Sequence, residues 1–209
     1  MDDIDQTDSV VRVALRQALI AAGAYFHCRG WVPATGGNFS ARLGSDCVMV
    51  TGSGIHKGEL RDSDFLDVDL AGHVQGMGKP SFETALHLQI YRRMPQIGAV
   101  LHVHSVANTV LSRCLNKLEL SGYELLKTLP GAPGPASRVE VPVFANDQDI
   151  TRLSQCVDRY MQAQPLLPAY LIAGHGLYAW GADVAQARYR VEALEFMFEC
   201  ELQQRRVEQ

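Results

Sequence analysis

Two histidines one residue apart, His102 and His104, sit in the β-branched run AVLHVH. On a strand, side chains at i and i+2 project to the same face, so both imidazoles point together while Leu101 and Val103 pack the other way. Two convergent imidazoles repel once protonated, and a shared divalent cation is one chemical reason for them to coexist. Alone, H-x-H is a weak signal that reads more readily as two polar residues on a half-buried strand. A third candidate shifts the balance. His175 lies between Gly174 and Gly176, where two strand-like runs bend, and glycine there lets the backbone open around a ligand. Three imidazoles leave a coordination position free on zinc, the pattern of catalytic rather than structural sites. The other histidines are blander. His27 ends a helix, His73 sits in a turn and His87 lies on a helix face, each a structural or solvated position, while His56 in a glycine-rich loop is ambiguous.

Two glycine-rich segments precede the histidine pair, Thr35-Gly36-Gly37-Asn38-Phe39-Ser40 and Thr51-Gly52-Ser53-Gly54-Ile55-His56-Lys57-Gly58. Glycine lets backbone N–H groups approach an anion, and Ser, Thr and Asn add short donors. Neither segment has dinucleotide-binding or P-loop spacing, and each alone reads as a pair of turns. Ser81, following Lys79-Pro80 at a helix start, is a third anion contact or a plain N-cap.

The elements that must carry these residues follow from periodicity and punctuation. Helical spacing covers 10–29, capped by Asp8 or Ser9 and stopped at Gly30. Two short strands flank the Gly44-Ser45-Asp46 turn, and 64–70 alternates as a third. A helix lies between Pro80 and Pro95, AVLHVH is a strand, and SVANTVLSRCL is a helix entered through Ser105. A short helix at 122–129 leads into the irregular PGAPGPASR loop. Then come the strand VEVPVF, a helix opened by Asp147, the two strands of YLIAGHGLYAW, and an amphipathic helix over the last 25 residues. This order predicts an α/β fold, a three-layer α/β/α domain with a central mixed, largely antiparallel sheet. It predicts one domain over 1–209, with 1–9 a flexible N-terminus.

Composition narrows the class. The chain has 209 residues, 47% of them apolar and 20% charged, with a formal net charge of −4. That is enough apolar material for a core without disulfide or metal staples, and it lacks the basic surplus of a nucleic-acid binder. The acidic opening MDDIDQTDSV is not signal-like, and no apolar run approaches a bilayer span. The cysteines number five, Cys28, Cys47, Cys114, Cys156 and Cys200, and none is near another. They read as reduced thiols of a cytoplasmic enzyme, with no nucleic acid or membrane as partner.

These residues resemble a known family. The signature S-x-E-T-x-L-H at 81–87, the later H-x-H pair and the G-H-G at 174–176 are similar to the class II aldolase/epimerase family of small zinc enzymes. The segments KPSFETALH, VLHVHSVANTVLSR, GYELLKTL, VPVFANDQDI and HGLYAWG resemble most its dehydratase branch, which serves methionine salvage. The resemblance implies one Zn2+ per subunit, held by His102, His104 and His175, and a sugar-phosphate substrate. It implies a phosphate held by Gly37, Asn38, Ser53, Gly54 and Ser81. It offers two acid/base carboxylates, Glu83 in the S-x-E position and Glu124 in Gly-Tyr-Glu, of which Glu124 is favoured. It also implies a homotetramer with sites near subunit borders. Retro-aldol cleavage or 4-epimerisation is the alternative, because it needs the same stabilised enediolate. A non-catalytic interaction module is a further alternative, although such relatives lack the metal-binding histidines.

Overall fold

The computed structural model describes residues 2–208. Five helices and nine strands follow one another as α1 (Asp2–Cys28), β1 (Asn38–Arg42), β2 (Cys47–Thr51), β3 (Phe65–Asp69), β4 (Val74–Gln75), α2 (Thr84–Arg93), β5 (Ala99–Val103), α3 (Val106–Cys114), β6 (Lys117–Ser121), β7 (Arg138–Phe144), α4 (Ile150–Ala163), β8 (Ala169–Ile172), β9 (Gly176–Gly181) and α5 (Val184–Val207). Short 3-10 turns occupy Lys57–Glu59, Asp62–Asp64 and Glu124–Thr128.

The strands form one nine-stranded sheet in the order β4-β3-β2-β1-β5-β9-β8-β7-β6. Only β7 and β8 run parallel, and the other neighbours are antiparallel. The sheet is mixed and largely antiparallel, as expected. Strand alternation divides the core in two. Ala99, Leu101 and Val103 of β5, with Leu177 and Ala179 of β9, pack with Phe26 of α1, Leu111 of α3 and Leu194 of α5. Val100, Tyr178 and Trp180 face the other side, against Leu86 and Ile90 of α2 and Leu153 and Val157 of α4. Helices therefore cover both faces. Among the described residues, no helix is long and apolar enough to cross a membrane.

Several local expectations change. α1 runs through Asp8 and Ser9 from Asp2, so neither is its cap and 2–9 belong to the helix. β6 has no counterpart in the sequence reading, although Leu118 and Leu120 are buried between exposed Lys117, Glu119 and Ser121. That alternation is clean, but five residues with charged ones interleaved resemble a helix-to-loop connection until β7 pairs with them. The segment at 124–128 is a 3-10 turn. Asp149, not Asp147, caps α4 by accepting from the Arg152 N–H at 3.0 Å, while Asp147 accepts from the Asp149 N–H. α5 is not a one-faced amphipathic helix. It is packed against α1, α3 and the 3-10 turn at 124–128 as well as β5 and β9, and polar Glu195 is buried with its apolar residues.

Phe26 holds α1 onto the sheet, fully buried with its ring centroid 5.7 Å from that of Phe39 and 5.8 Å from Trp31. Replacing it with alanine leaves a cavity the rigid sheet cannot close. Phe26→Ala is expected to cost about 3–5 kcal/mol, read as a lowered urea midpoint with an unchanged far-UV spectrum below the transition.

Candidate active site

β5 lies at the centre of the sheet, between β1 and β9, and His102 is its fourth residue. Its cross-strand partners are Asn38 on β1 and Tyr178 on β9. The His102 ring is fully buried and stacks on Tyr178, with centroids 3.9 Å apart and planes 15° apart. Its Nδ1 lies 2.9 Å from the Leu177 carbonyl oxygen. A carbonyl only accepts, so Nδ1 carries the proton and the Nε2 lone pair faces outward. This second contact is what orients a ligating histidine.

His104 lies one residue beyond the end of β5, its backbone N–H bonded to the Trp31 carbonyl at 2.7 Å. Its Nε2 comes 2.7 Å from His102 Nε2, and His175 Nε2 lies 3.3 Å from the same atom. The three ligand atoms all lie within 4.8 Å of one another. Such crowding depends on backbone proximity. A Cβ on Gly176 would meet the Val103 carbonyl and stand 2.8 and 2.9 Å from ring atoms of His102 and His104. Only glycine brings the β8–β9 turn this close.

Burial, then the neighbouring imidazoles, holds His102 well below the ordinary histidine range. Burial, His175 and Lys57 push His104 down to about 4. Both are thus neutral at pH 7, the form that binds a metal. Three imidazole nitrogens with one tautomer fixed from behind make a set that fits a divalent cation with nitrogen preference, zinc among them.

Glu83 joins this group. It precedes α2 and is buried, with Oε1 3.1 Å from His175 Nε2 and Oε2 3.4 Å from His102 Nε2. Asn38 Nδ2 donates to Oε2 at 2.7 Å. Beside the histidines opens a cavity of about 270 Å³ lined by Gly37, Asn38, Ser53, Gly54 and Ser81 together with Glu83, His104 and His175. The two glycine-rich loops therefore meet at one place, with Gly37 and Gly54 in the left-handed region at φ +76° and +74°. Ser81 is not the cap of α2. The helix begins at Thr84, and Ser81 Oγ accepts from the Glu83 N–H at 3.3 Å in the approach to it.

Sequence reasoning missed Lys57. Its side chain is buried at the cavity wall, where Nζ donates to the carbonyls of Thr35 and Ile55. An ammonium has three donors, so one remains for an anion between the loops. Burial lowers this lysine to about 8, opposed by the Glu83 carboxylate. The signal was present, because the lysine ends the segment T-G-S-G-I-H-K, but a lysine in a polar loop is ordinarily solvated. Asn146 and Gln148, from the β7–α4 loop, also line the cavity and were not anticipated.

Glu124 is placed elsewhere. Its side chain is 66% exposed on the 3-10 turn, paired with Lys127 at 2.6 Å, and it does not line this cavity. His73 is exposed and paired with Asp69, and the His27 and His56 rings lie edge to face with centroids 4.7 Å apart, neither belonging to the three-histidine group. His87 is neither solvated nor idle. It is buried and bonded to Asn38 and Ser40.

Comparison with known proteins accords with this geometry. The family model described as "Class II Aldolase and Adducin N-terminal domain" matches residues 17–202. The chain belongs to this family. Among the family's curated members, it is 52% identical over 194 residues to methylthioribulose-1-phosphate dehydratase of Pseudomonas aeruginosa strain UCBPP-PA14, covering 91% of this chain and 95% of that protein. It is 53% identical over 184 residues to the protein of that name from Methylococcus capsulatus, covering 88% and 90%. Among solved structures, L-fuculose-1-phosphate aldolase from Thermus thermophilus superposes with a TM-score of 0.78 at 27% identity, over 94% of this chain and 98% of that one.

The buried histidines make stability depend on pH. His87 is held down to about 3 and His104 to about 4, both from an ordinary 6.5. Below pH 6.5 the unfolded chain therefore binds protons that the folded chain does not, and stability falls on acidification. Glu195, raised by burial to about 7 from 4.5, acts in the opposite sense between those values. The histidines outnumber it. Chelator-treated protein is expected to lose melting temperature from pH 6.5 to 4.5, and Glu195→Gln is expected to steepen that loss.

Proposed function

We propose that this chain is a zinc-dependent hydro-lyase that dehydrates 5-methylthioribulose 1-phosphate to 2,3-diketo-5-methylthiopentyl 1-phosphate in methionine salvage. The observation that carries the reading is the 52% identity with a dehydratase of that name across 91% of the chain, with the three-histidine cluster intact. His102, His104 and His175 would hold the metal. Zinc, when bound, supplies Lewis acidity that lowers the energy of negative charge developing at a ketose carbonyl.

The chain's own residues do the rest. The free N–H of Lys57, the Ser53 and Ser81 hydroxyls and the loop at Gly37, Asn38 and Gly54 hold the phosphate. Binding energy far from the reacting carbon thus fixes that carbon in place. A carboxylate removes the C3 proton, and the C4 hydroxyl leaves with a proton as water. The resulting enol loses its C3 hydroxyl proton and gains one at C4, which gives the diketone. General acid–base help of this kind contributes about 10²–10⁴ in rate.

Two carboxylates serve this reading. Glu83 stands in the chain's own cavity, against His102 and His175. Glu124 keeps the principal acid/base assignment and acts from a neighbouring copy, because it does not line the cavity of its own chain. The proposed homotetramer, with active sites near subunit borders, would bring it there. Exposed Val106, Tyr189 and Phe196 supply apolar surface for such an assembly. The five free cysteines suit a cytoplasmic location.

The second reading is a sugar-phosphate aldolase or 4-epimerase, favoured by the structural likeness to the fuculose-phosphate enzyme. Product analysis separates the two. Incubation with methylthioribulose 1-phosphate is expected to yield a 2,3-dicarbonyl and no aldehyde. Turnover of fuculose, rhamnulose or ribulose phosphates in its place overturns the dehydratase reading. His104→Ala is expected to purify folded while losing both zinc and turnover. Glu124→Gln is expected to lose about 10²–10⁴ in kcat. Mixing these two inactive variants is expected to restore part of the activity, since one intact site can form across a subunit border.

A further inference from the structure

A chain of buried hydrogen bonds runs away from Glu83 into the layer beneath α2. Asn38 Nδ2 donates to Glu83 Oε2 at 2.7 Å, Asn38 Oδ1 meets His87 Nε2, His87 Nδ1 lies 2.7 Å from Ser40 Oγ, and Ser40 Oγ lies 2.9 Å from the Tyr91 hydroxyl. Every member is at most 9% exposed. The direction of each bond is forced. A carboxylate accepts, so the amide nitrogen of Asn38 faces Glu83 and its oxygen faces His87. Nε2 of His87 must then carry the proton, leaving Nδ1 to accept from the Ser40 hydroxyl, which in turn accepts from Tyr91. Burial holds His87 down to about 3, so the ring is neutral and has one donor and one acceptor. Both are used.

Without a donor at the Nε2 position, the Asn38 amide is free to turn over and set its oxygen against the carboxylate. Glu83 would then lose the amide donor at Oε2, and that oxygen would no longer be held toward His102. We infer that His87 is a positioning residue: acting through Asn38, it aims the Glu83 carboxylate at the three-histidine cluster. Together with Asn38, Ser40 and Tyr91 it forms a continuous set of buried side-chain bonds that ends on Glu83. Its ring also lies edge-on to Tyr178, with centroids 5.6 Å apart, and Tyr178 stacks on His102.

The inference rests on the reading of this site as a metal centre, and the test separates the two. An asparagine at 87 can place its side-chain oxygen near the Nδ1 position and keep the Ser40 link, but it is too short to reach Asn38. A glutamine can place its NH2 near the Nε2 position and keep the Asn38 link. Zinc affinity of the full chain, measured by competition with a chromogenic chelator, is expected to fall about 10–100-fold in His87→Asn, the usual size of a loss behind a metal ligand. His87→Gln and Ser40→Ala are expected to stay within about threefold of wild type. In turnover, His87→Asn is expected to lose kcat by a similar factor with KM nearly unchanged, the mark of an interaction made in the transition state. Equal losses in His87→Asn and His87→Gln overturn the inference, because they indicate a packing role only. So does wild-type zinc affinity in His87→Asn, or a loss in Ser40→Ala as large as that in His87→Asn. If His87→Asn does not fold, Ser40→Ala and His87→Gln still decide it, since a loss in either one overturns it. Wild-type protein that binds zinc yet forms no dicarbonyl sinks the substrate assignment and leaves His87 to be judged by affinity alone.

Discussion

Three imidazoles and a carboxylate crowd into a few ångströms of protein interior, and the rest of the site depends on keeping them there and aimed. Left to itself such a cluster would scatter, since neutral imidazoles gain nothing from each other and a protonated pair repels. The fold removes the choices. His102 is pinned from behind by the Leu177 carbonyl and flanked by Tyr178. His104 is tied through its backbone to Trp31. His175 is brought in by a turn that only glycine at 176 permits. Gly176, Leu177 and Tyr178 all belong to β9 and Trp31 follows the end of α1, so the cluster exists only when β9 and the segment after α1 are both in place against β5.

The central position of β5 is therefore functional as well as structural. Its alternation sends Leu101 and Val103 into the layer of α1, α3 and α5, and His102 into the layer of α2 and α4. The same strand thus anchors both halves of the core and presents the ligand. α2 contributes apolar Leu86 and Ile90 to the core and begins just beyond Glu83. Packing energy that holds the layers together is, in this arrangement, the energy that holds the polar atoms in register.

The cavity beside the cluster brings hydroxyls, glycine backbone and a buried lysine together with the histidines and Glu83. Lys57 is its ammonium, with two donors committed to carbonyls that fix the loops and one left over. A lysine so placed serves both the shape of the loops and the charge of the pocket.

What the amino-acid order by itself determined is local and periodic. The same-face placement of His102 and His104, the glycines around His175 and the strand-turn-strand at 38–51 follow from spacing alone, as does Ser105 as the cap of α3. The motif resemblance then named the family and singled out the two glycine-rich loops that meet at the cavity. Tertiary structure decided what depends on non-local contact. β6 became a strand only because β7 pairs with it, and α1 extended past its presumed caps. α5 is wrapped on several sides, where its own pattern suggested one. Lys57, which looks solvated in a linear reading, and His87, which reads as either structural or solvated, are buried because distant carbonyls, amides and hydroxyls satisfy their polar atoms. Glu124 shows the converse. A motif can nominate a carboxylate, but only packing places it, and within one chain that packing leaves it on the surface. Spacing along a chain reports which faces two nearby residues share, whereas burial of a polar group depends on partners dozens of residues away that no local pattern encodes.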